Sequence, residues 1–458
     1  MTAAARMAAF AALLDVEMRN RYVNVALQHA LDERGLKGRD RALCTELVYG
    51  TVQRQRSLDT LLQPLVQRSV SDLDPPVLTI LRMTVYQLTY LTKVPSYAAV
   101  HDAVELAKAH ARRAAGFVNG VLRAFMRQPG APLDRLREAA SEGGAWADRM
   151  GILHSYPTWL LERWAGTFGR ESAERLAVAC NQAASFSARV NRLKAAPDTV
   201  FAGLEQAYGD IAEPSRIWPD GIRFHRGVEI SRWPALQTGE VAVQDEGAML
   251  ASPLLAPPKA GRVLDMCAGL GTKTIHIAEQ MGDVGEVIAC DIHAHKLQHL
   301  RQAAERMGVT CIRPLLADAR SLPDRPGFAG QFDAVLLDAP CSGLGVLRHR
   351  PDIRWRRTPE DVASLADLQR QLLRAAARLV KPGGVVLYAT CTLLPEENED
   401  VVQSVLDDGD AHLEWAGVHL PSLPPPLRDG ARMGRLLIRP DEFGTDGFFY
   451  ARLMKKNP

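Results

Sequence analysis

The sequence predicts an α/β protein of more than one domain. Residues 246–458 read as a mostly parallel sheet covered by helices, preceded by an all-α domain over 1–130 and a small α+β domain over 150–245. Three observations carry this. At 458 residues the chain exceeds what one ordinary core holds. Its first 128 residues show helical spacing throughout. From Gly261 onward, short apolar runs alternate with helical stretches, the pattern of parallel strands joined by crossover helices.

In chain order, Met7, Phe10, Ala11, Leu14 and Met18 fall at helical spacing and predict an amphipathic core helix rather than a cleaved leader. Residues 77–91 are apolar on nearly every side and predict a buried central helix. Ala99, Val100, Ala103, Val104 and Ala107 repeat the helical spacing after Pro95 and Ser96. Phe117, Val118, Val121, Leu122, Phe125 and Met126 do so again. Gln128–Pro132, with two prolines and a glycine, breaks the pattern and reads as a linker. Helices are expected from Tyr156 towards Gly169 and from about Glu171, followed by a strand over Ser187–Asn191. Pro257 and Pro258 mark the next boundary. Beyond them, 263–265, 286–290, 311–316, 334–337 and 385–388 are the expected strands, with helices over 295–307 and 360–380.

Composition narrows the class. Hydrophobic residues make up 47% and charged residues 24%, as in a soluble globular protein. No run of eighteen apolar residues exists, so no membrane-spanning helix is expected. The seven cysteines are odd in number and form no Cys-x-x-Cys pair, which points to reduced thiols and a cytoplasmic location. The histidines show no metal-ligand spacing; His276, His293, His295 and His299 are expected at the surface, and no metal is implied. A monomer is the default expectation. Net charge is +2, yet residues 1–128 hold 17 Lys and Arg against 11 Asp and Glu, a local excess that suits an RNA partner.

The chemistry-bearing residues follow the expected strands. Asp265–Thr274 is a glycine-rich turn between a strand and a helix, where Gly269 and Gly271 allow close backbone approach to a ligand and the helix offers free N–H groups. Asp291, Asp318 and Asp338 each stand just at or past the end of a successive strand, and Asp291 is placed to bind both hydroxyls of a ribose. A dehydrogenase would need a fuller glycine fingerprint than one with Thr274 at the third position. Two cysteines, Cys341 and Cys391, also follow strands directly. A thiolate there can add to carbon 6 of a cytosine, making carbon 5 nucleophilic enough to take a methyl group from a sulfonium. Asp338 is the acid expected near ring nitrogen 3, which requires a pKa raised by burial. These residues alone leave open which cysteine attacks. Arg348–Arg357 sets five arginines around Trp355, and Arg348, Arg350, Arg354 and Trp355 are the expected contacts to a substrate strand whose target base is flipped out or single-stranded.

Five segments together resemble the RNA cytosine-C5 methyltransferases (Sun-like family), in particular the bacterial RsmB (Sun/Fmu) type acting on 16S ribosomal RNA of the small subunit. They are Asp338-Ala-Pro-Cys-Ser342, Arg350-Pro-Asp-Ile-Arg-Trp355, Thr390-Cys-Thr392, Pro395-Glu-Glu-Asn398 and Asp446–Arg452. Phe117–Arg123 and Gly239–Glu246 extend the resemblance over nearly the whole chain. It implies a Rossmann-like methyltransferase domain behind a NusB-like RNA-binding domain, with S-adenosylmethionine as cofactor. It implies that Cys391 is the nucleophile and that Cys341 assists product release. The cofactor residues it implies are Cys267, Ala268, Gly269, Leu270, Gly271, Thr272, Lys273, Asp291, Asp318 and Asp338. Leu270 stands where the family has proline, and Thr272 where it has glycine. A transfer RNA as substrate and a non-catalytic, RNA-binding assembly factor are the alternatives.

Overall fold

Apolar residues at three- and four-residue spacing fold the first part of the chain into helices packed around one of their own number. The protein is described by a computed structural model covering residues 3–225 and 233–457, and the chain falls into two units, Met1–Gln182 with Leu347–Arg356, and Ala183–Val346 with Arg357–Pro458. In the first unit the central element is the helix Pro75–Tyr90, whose residues 77–87 are buried without interruption. Its two prolines occupy the first turn, where no helical N–H partner is lost. Gly50 allows the helix Gly38–Gln53 to pass it closely, since a Cβ there would lie 2.0 Å from Cζ of Tyr86.

The N-terminal helix, Ala3–Arg19, buries a different face from the one its spacing predicts. Ala5, Ala8, Ala9, Phe10, Ala12 and Leu13 are inside, whereas Met7 and Met18 are exposed. Small alanines permit close packing, and Arg6 is drawn inward by Gln87 Oε1 at 2.7 Å and Asp102 Oδ2 at 2.6 Å. Phe117 and Met126 are likewise exposed, leaving Val118, Val121, Leu122 and Phe125 as the buried stripe of Ala115–Arg127. Gln128–Pro132 separates the helices Ala115–Arg127 and Pro132–Ser141, both within this unit. The next helix, Pro132–Ser141, adds Leu136 to the same core and sets the Arg135 guanidinium 4.5 Å over the Phe125 ring. Helices Trp146–His154, Thr158–Phe168 and Arg170–Ala179 lie within the first compact unit as well.

The segment Leu347–Arg356 completes the first unit. Asp352 accepts the Val23 N–H at 3.2 Å, and Trp355 Nε1 donates to the Val52 carbonyl at 2.8 Å. Arg354 is wholly buried, bonded to Asn181 Oδ1 at 2.8 Å and the Ser155 carbonyl at 3.2 Å, with its guanidinium 4.0 Å over the Tyr156 ring.

The second unit contains two sheets. The smaller is antiparallel, made of β1 (Phe186–Val190), β2 (Ala212–Pro214), β3 (Gly221–Phe224) and β4 (Val241–Val243) in the order β2-β3-β1-β4. The larger contains β5 (Arg262–Asp265), β6 (Glu286–Asp291), β7 (Ile312–Leu316), β8 (Phe332–Asp338), β9 (Val380–Thr390), β10 (Leu413–Trp415), β11 (Arg435–Ile438) and β12 (Phe448–Lys455). Its order is β10-β12-β9-β8-β5-β6-β7, parallel from β9 to β7, with β12 antiparallel to β9 and β11 also paired to β12. The first parallel strand, β5, therefore lies between β8 and β6, and the chain winds away from it in both directions. Such a reversal opens a crevice at the carboxyl ends of the strands. Among the described residues no helix is long and apolar enough to cross a membrane.

The small sheet is joined to the larger domain by a buried ion pair. Arg189 of β1 meets Glu279 in the helix Thr272–Gln280, with Nη2 at 3.1 Å from Oε1, and its Nε donates to Gln244 Oε1 at 2.7 Å. Losing one partner of such a pair strands the other charge out of water. Glu279→Ala is therefore expected to destabilise the protein by about 3–5 kcal/mol, read as a lower denaturant midpoint. An unchanged midpoint would show that Arg189 finds another partner.

Candidate active site

Strand pairing brings the two cysteines together. In the parallel ladder Asp338, the last residue of β8, is opposite Ala389 near the end of β9. Cys341 and Cys391 follow on adjacent strand ends, and their sulfurs are 3.3 Å apart, with the Cys391 N–H directed at the Cys341 sulfur at 3.4 Å. The chain is tightly packed behind them. A Cβ on Gly345 would lie 2.4 Å from the Gly447 carbonyl oxygen and 2.8 Å from that of Cys391. The hydrogen-bonding contact with Cys391, burial, and the charges of Cys391 and Glu397 push the Cys341 thiol well above its usual range.

Residues that the sequence reading did not assign a role hold these loops. Glu397, with no solvent exposure, accepts the Ser342 N–H at 2.8 Å, the Ser342 hydroxyl at 2.5 Å and Gln369 Nε2 at 3.0 Å. Burial pushes its carboxyl pKa up, and the donors from Ser342, Gln369 and Thr392 pull it back. Gln369 also donates to the Pro340 carbonyl at 2.8 Å. The adjacent Asn398 holds the other loop, accepting from Thr390 Oγ1 at 2.5 Å and donating to the Thr392 carbonyl at 3.1 Å. The signal for both was the polar Pro395–Asn398 run lying so soon after Cys391.

Asp338 is partly exposed and accepts from Lys273 Nζ at 2.5 Å, so it is an ion-pair partner rather than the isolated buried acid expected. Lys273, in the first turn of Thr272–Gln280, also sits 5.5 Å over the Phe448 ring. Burial pulls the Lys273 ammonium down, but Asp338 together with Cys391 and Asp265 carries it above its usual range.

The glycine-rich turn lies beside this pair. Gly269 and Gly271 have φ of +56° and +88°, the left-handed region that side chains disfavour. A Cβ on Gly271 would also meet Leu300 at 2.5 Å, whereas the space beside Gly269 is open. Ala268 N–H bonds the Cys290 carbonyl at 2.8 Å, Leu270 is exposed, and Thr272 begins the helix. Cys267 is a half-exposed thiol whose pKa is driven far up by burial and by Asp265 and Asp338. Buried Asp265 takes the Thr274 hydroxyl at 2.7 Å, and burial raises its pKa to about 7.

This turn suits S-adenosylmethionine. Gly271 caps the helix without a side-chain bond, leaving first-turn N–H groups for a carboxylate. Asp291 accepts the Gly269 N–H at 3.0 Å through one oxygen and the His293 N–H at 2.8 Å through the other, so its carboxylate is fixed at the end of β6 beside the glycine-rich turn. Asp318 is further out, capping Ala319–Asp324 and paired with Arg320 at 2.6 Å.

Other expected residues are dispersed. Arg348 is half-buried and Arg350 exposed. Arg354 is wholly buried inside the helical unit and has no surface to offer a strand, while Trp355 is half-buried with its Nε1 bonded to the Val52 carbonyl. His276 is buried rather than superficial, and burial, with Arg189, depresses its pKa well below the usual range. His293, His295 and His299 are exposed.

Comparison with known proteins agrees with this architecture. Residues 252–454 match the family model of the 16S rRNA methyltransferase RsmB/F, residues 3–127 that of the NusB family, and residues 156–231 that of the RsmF/B-like ferredoxin-like domain. A probable ribosomal RNA small subunit methyltransferase B of Bacillus subtilis is 37% identical over 98% of this chain and 98% of its own length. The ribosomal RNA small subunit methyltransferase B of Sodalis glossinidius is 38% identical over 92% of this chain and 91% of its own. The crystal structure of PH0851 superposes with a TM-score of 0.83 at 27% identity, covering 99% of each chain. NSun6 from Pyrococcus horikoshii, solved with SFG, shares the fold at a TM-score of 0.60 and 24% identity, over 67% of this chain and 100% of that one.

The carboxylate of Asp291 gives a pH-dependent test. Burial alone would raise its pKa, but bonds from His293, the Lys296 charge and the Gly269 N–H bring it below the usual range. A depressed folded pKa contributes stability above the unfolded value of about 3.9 and loses it as pH falls through the folded one. Asp291→Asn is expected to lower Tm at pH 7, with the gap to the native protein closing below about pH 4. A gap independent of pH would show that the carboxylate charge contributes nothing.

Proposed function

Because the chain belongs to the RsmB/F family of 16S rRNA methyltransferases, we propose that it methylates carbon 5 of a cytosine in 16S ribosomal RNA through a covalent adduct on Cys391. S-adenosylmethionine is the methyl donor, supplying an electrophilic methyl group on a sulfonium. The observation that carries the reading is the pair of thiols 3.3 Å apart at adjacent strand ends, beside the Lys273–Asp338 ion pair.

The residues divide the work. Cys391 adds to carbon 6, forming an S–C bond and breaking ring aromaticity, so that carbon 5 becomes the nucleophile. Lys273 and Asp338 form a polar pair at the ring edge, where Asp338, once protonated, donates a hydrogen bond to nitrogen 3 and keeps that proton as the ring re-forms. After methyl transfer the carbon-5 proton passes to a solvent base, its electron pair restores the double bond, and the S–C6 pair returns to Cys391. The raised pKa of Cys341 favours its neutral thiol, which suits it to donate a hydrogen bond to the departing sulfur rather than to attack. The same chemistry needs an unstacked base, and exposed Arg350 with half-buried Arg348 offers charge to the flanking strand. All seven cysteines are free thiols, in keeping with a cytoplasmic enzyme.

The test is transfer of labelled methyl from S-adenosylmethionine to unmodified small-subunit ribosomal RNA. The native enzyme is expected to label carbon 5 of cytosine, and Cys391→Ala to fall to background. Cys341→Ala is expected to transfer methyl but leave protein joined to RNA in a denaturing gel. Full activity of Cys391→Ala would refute the nucleophile assignment. Label on transfer RNA alone would refute the substrate class.

A further inference from the structure

Cys341 is flanked by held peptide groups. The Pro340 carbonyl takes Gln369, the Ser342 N–H and hydroxyl take Glu397, and the Ser342 carbonyl takes Arg357 Nε at 3.1 Å. Arg357 differs in origin from the other two holders. The chain leaves the catalytic unit after Val346, contributes Leu347–Arg356 to the helical unit and re-enters at Arg357. Its bond to Ser342 spans fifteen residues and closes the base of that excursion. The peptide it grips is followed by Gly343 at φ +75°, a backbone conformation that only the surrounding contacts hold in place. Glu397 fixes the amide side of Ser342, and Arg357 is the donor recorded on its carbonyl side.

We propose that Arg357 is a positioning residue for the product-release step, holding the Ser342 carbonyl so that the Cys341 thiol stays beside Cys391. The inference rests on the cysteine roles proposed above. Adduct formation and methyl transfer require Cys391, whose loop is held by Asn398. Release additionally requires Cys341, whose loop is held by Glu397, Gln369 and Arg357. Loss of Arg357 therefore slows the second half of the reaction selectively. A merely structural role would depress both halves together.

The test uses the full-length protein with unmodified small-subunit ribosomal RNA and labelled S-adenosylmethionine, comparing the native enzyme, Arg357→Gln, Arg357→Lys and Cys341→Ala. First-turnover methyl incorporation is measured alongside the fraction of protein that stays joined to RNA in a denaturing gel. Arg357→Gln is expected to keep first-turnover incorporation within about twofold of native while retaining roughly tenfold more adduct. Arg357→Lys, which restores a donor, is expected to recover most of the release. Equal loss of incorporation and adduct in Arg357→Gln, with Arg357→Lys no better, would overturn the proposal, as would native behaviour of Arg357→Gln. Absence of adduct from Cys341→Ala would instead overturn the cysteine roles, and this inference with them.

Discussion

The buried carboxylate of Glu397 is the constraint on which the site's geometry depends. A carboxyl group taken out of water must be supplied with hydrogen-bond partners, and here they come from the Cys341 loop and from the helix behind it. Ser342, just past Cys341, donates through both its amide and its hydroxyl, and Gln369 donates from the long helix Pro359–Leu379. The Glu397 carbonyl in turn accepts the Tyr388 hydroxyl of β9 at 2.5 Å. A shift of the Cys341 loop would strip donors from a carboxyl group that water cannot reach. The loops are thereby organised before any substrate arrives, the condition under which a polar site is most effective.

The cofactor side relies on a different device. There the backbone itself is shaped, by two glycines in left-handed conformations and by an aspartate that fastens one strand end to the turn of the next. Lys273 joins the two halves, being at once a residue of the cofactor helix and the partner of Asp338. Asp338, with Cys391 and Asp265 behind it, holds that ammonium in its charged form despite burial.

The strands of the parallel sheet were readable from the sequence because strands buried on both faces are short apolar runs, and their acids and cysteines fall at the ends where such sheets bind ligands. Side-chain placement was less readable. The alanine-rich N-terminal helix gives almost no periodic contrast, and the inward pull of Arg6 depends on Gln87 and Asp102, far away in sequence. Arg354 and Trp355 illustrate the same difficulty. A cluster of arginines around a tryptophan suits a nucleic-acid strand, and it equally suits burial when Asn181, Tyr156 and Val52 supply acceptors and a ring. Nothing local distinguishes the two. Asp338 was placed correctly at its strand end, but its partner Lys273 lies on another element, so its electrostatic setting was invisible.

The helical unit is discontinuous, with Arg354 in its interior and half-buried Trp355 packed against its core although they are encoded long after its other helices. During translation, the stretch Ala183–Val346 must be made before that interior can close, on the order of ten to thirty seconds at the usual 5–20 residues per second. Throughout that interval the N-terminal helices emerge without the side chains that occupy Tyr156, Asn181 and the Val52 carbonyl. A nascent chain that stalls before Leu347 therefore lacks the side chains that cover Tyr156 and Asn181, although the apolar core from Ala5 to Leu136 is already encoded.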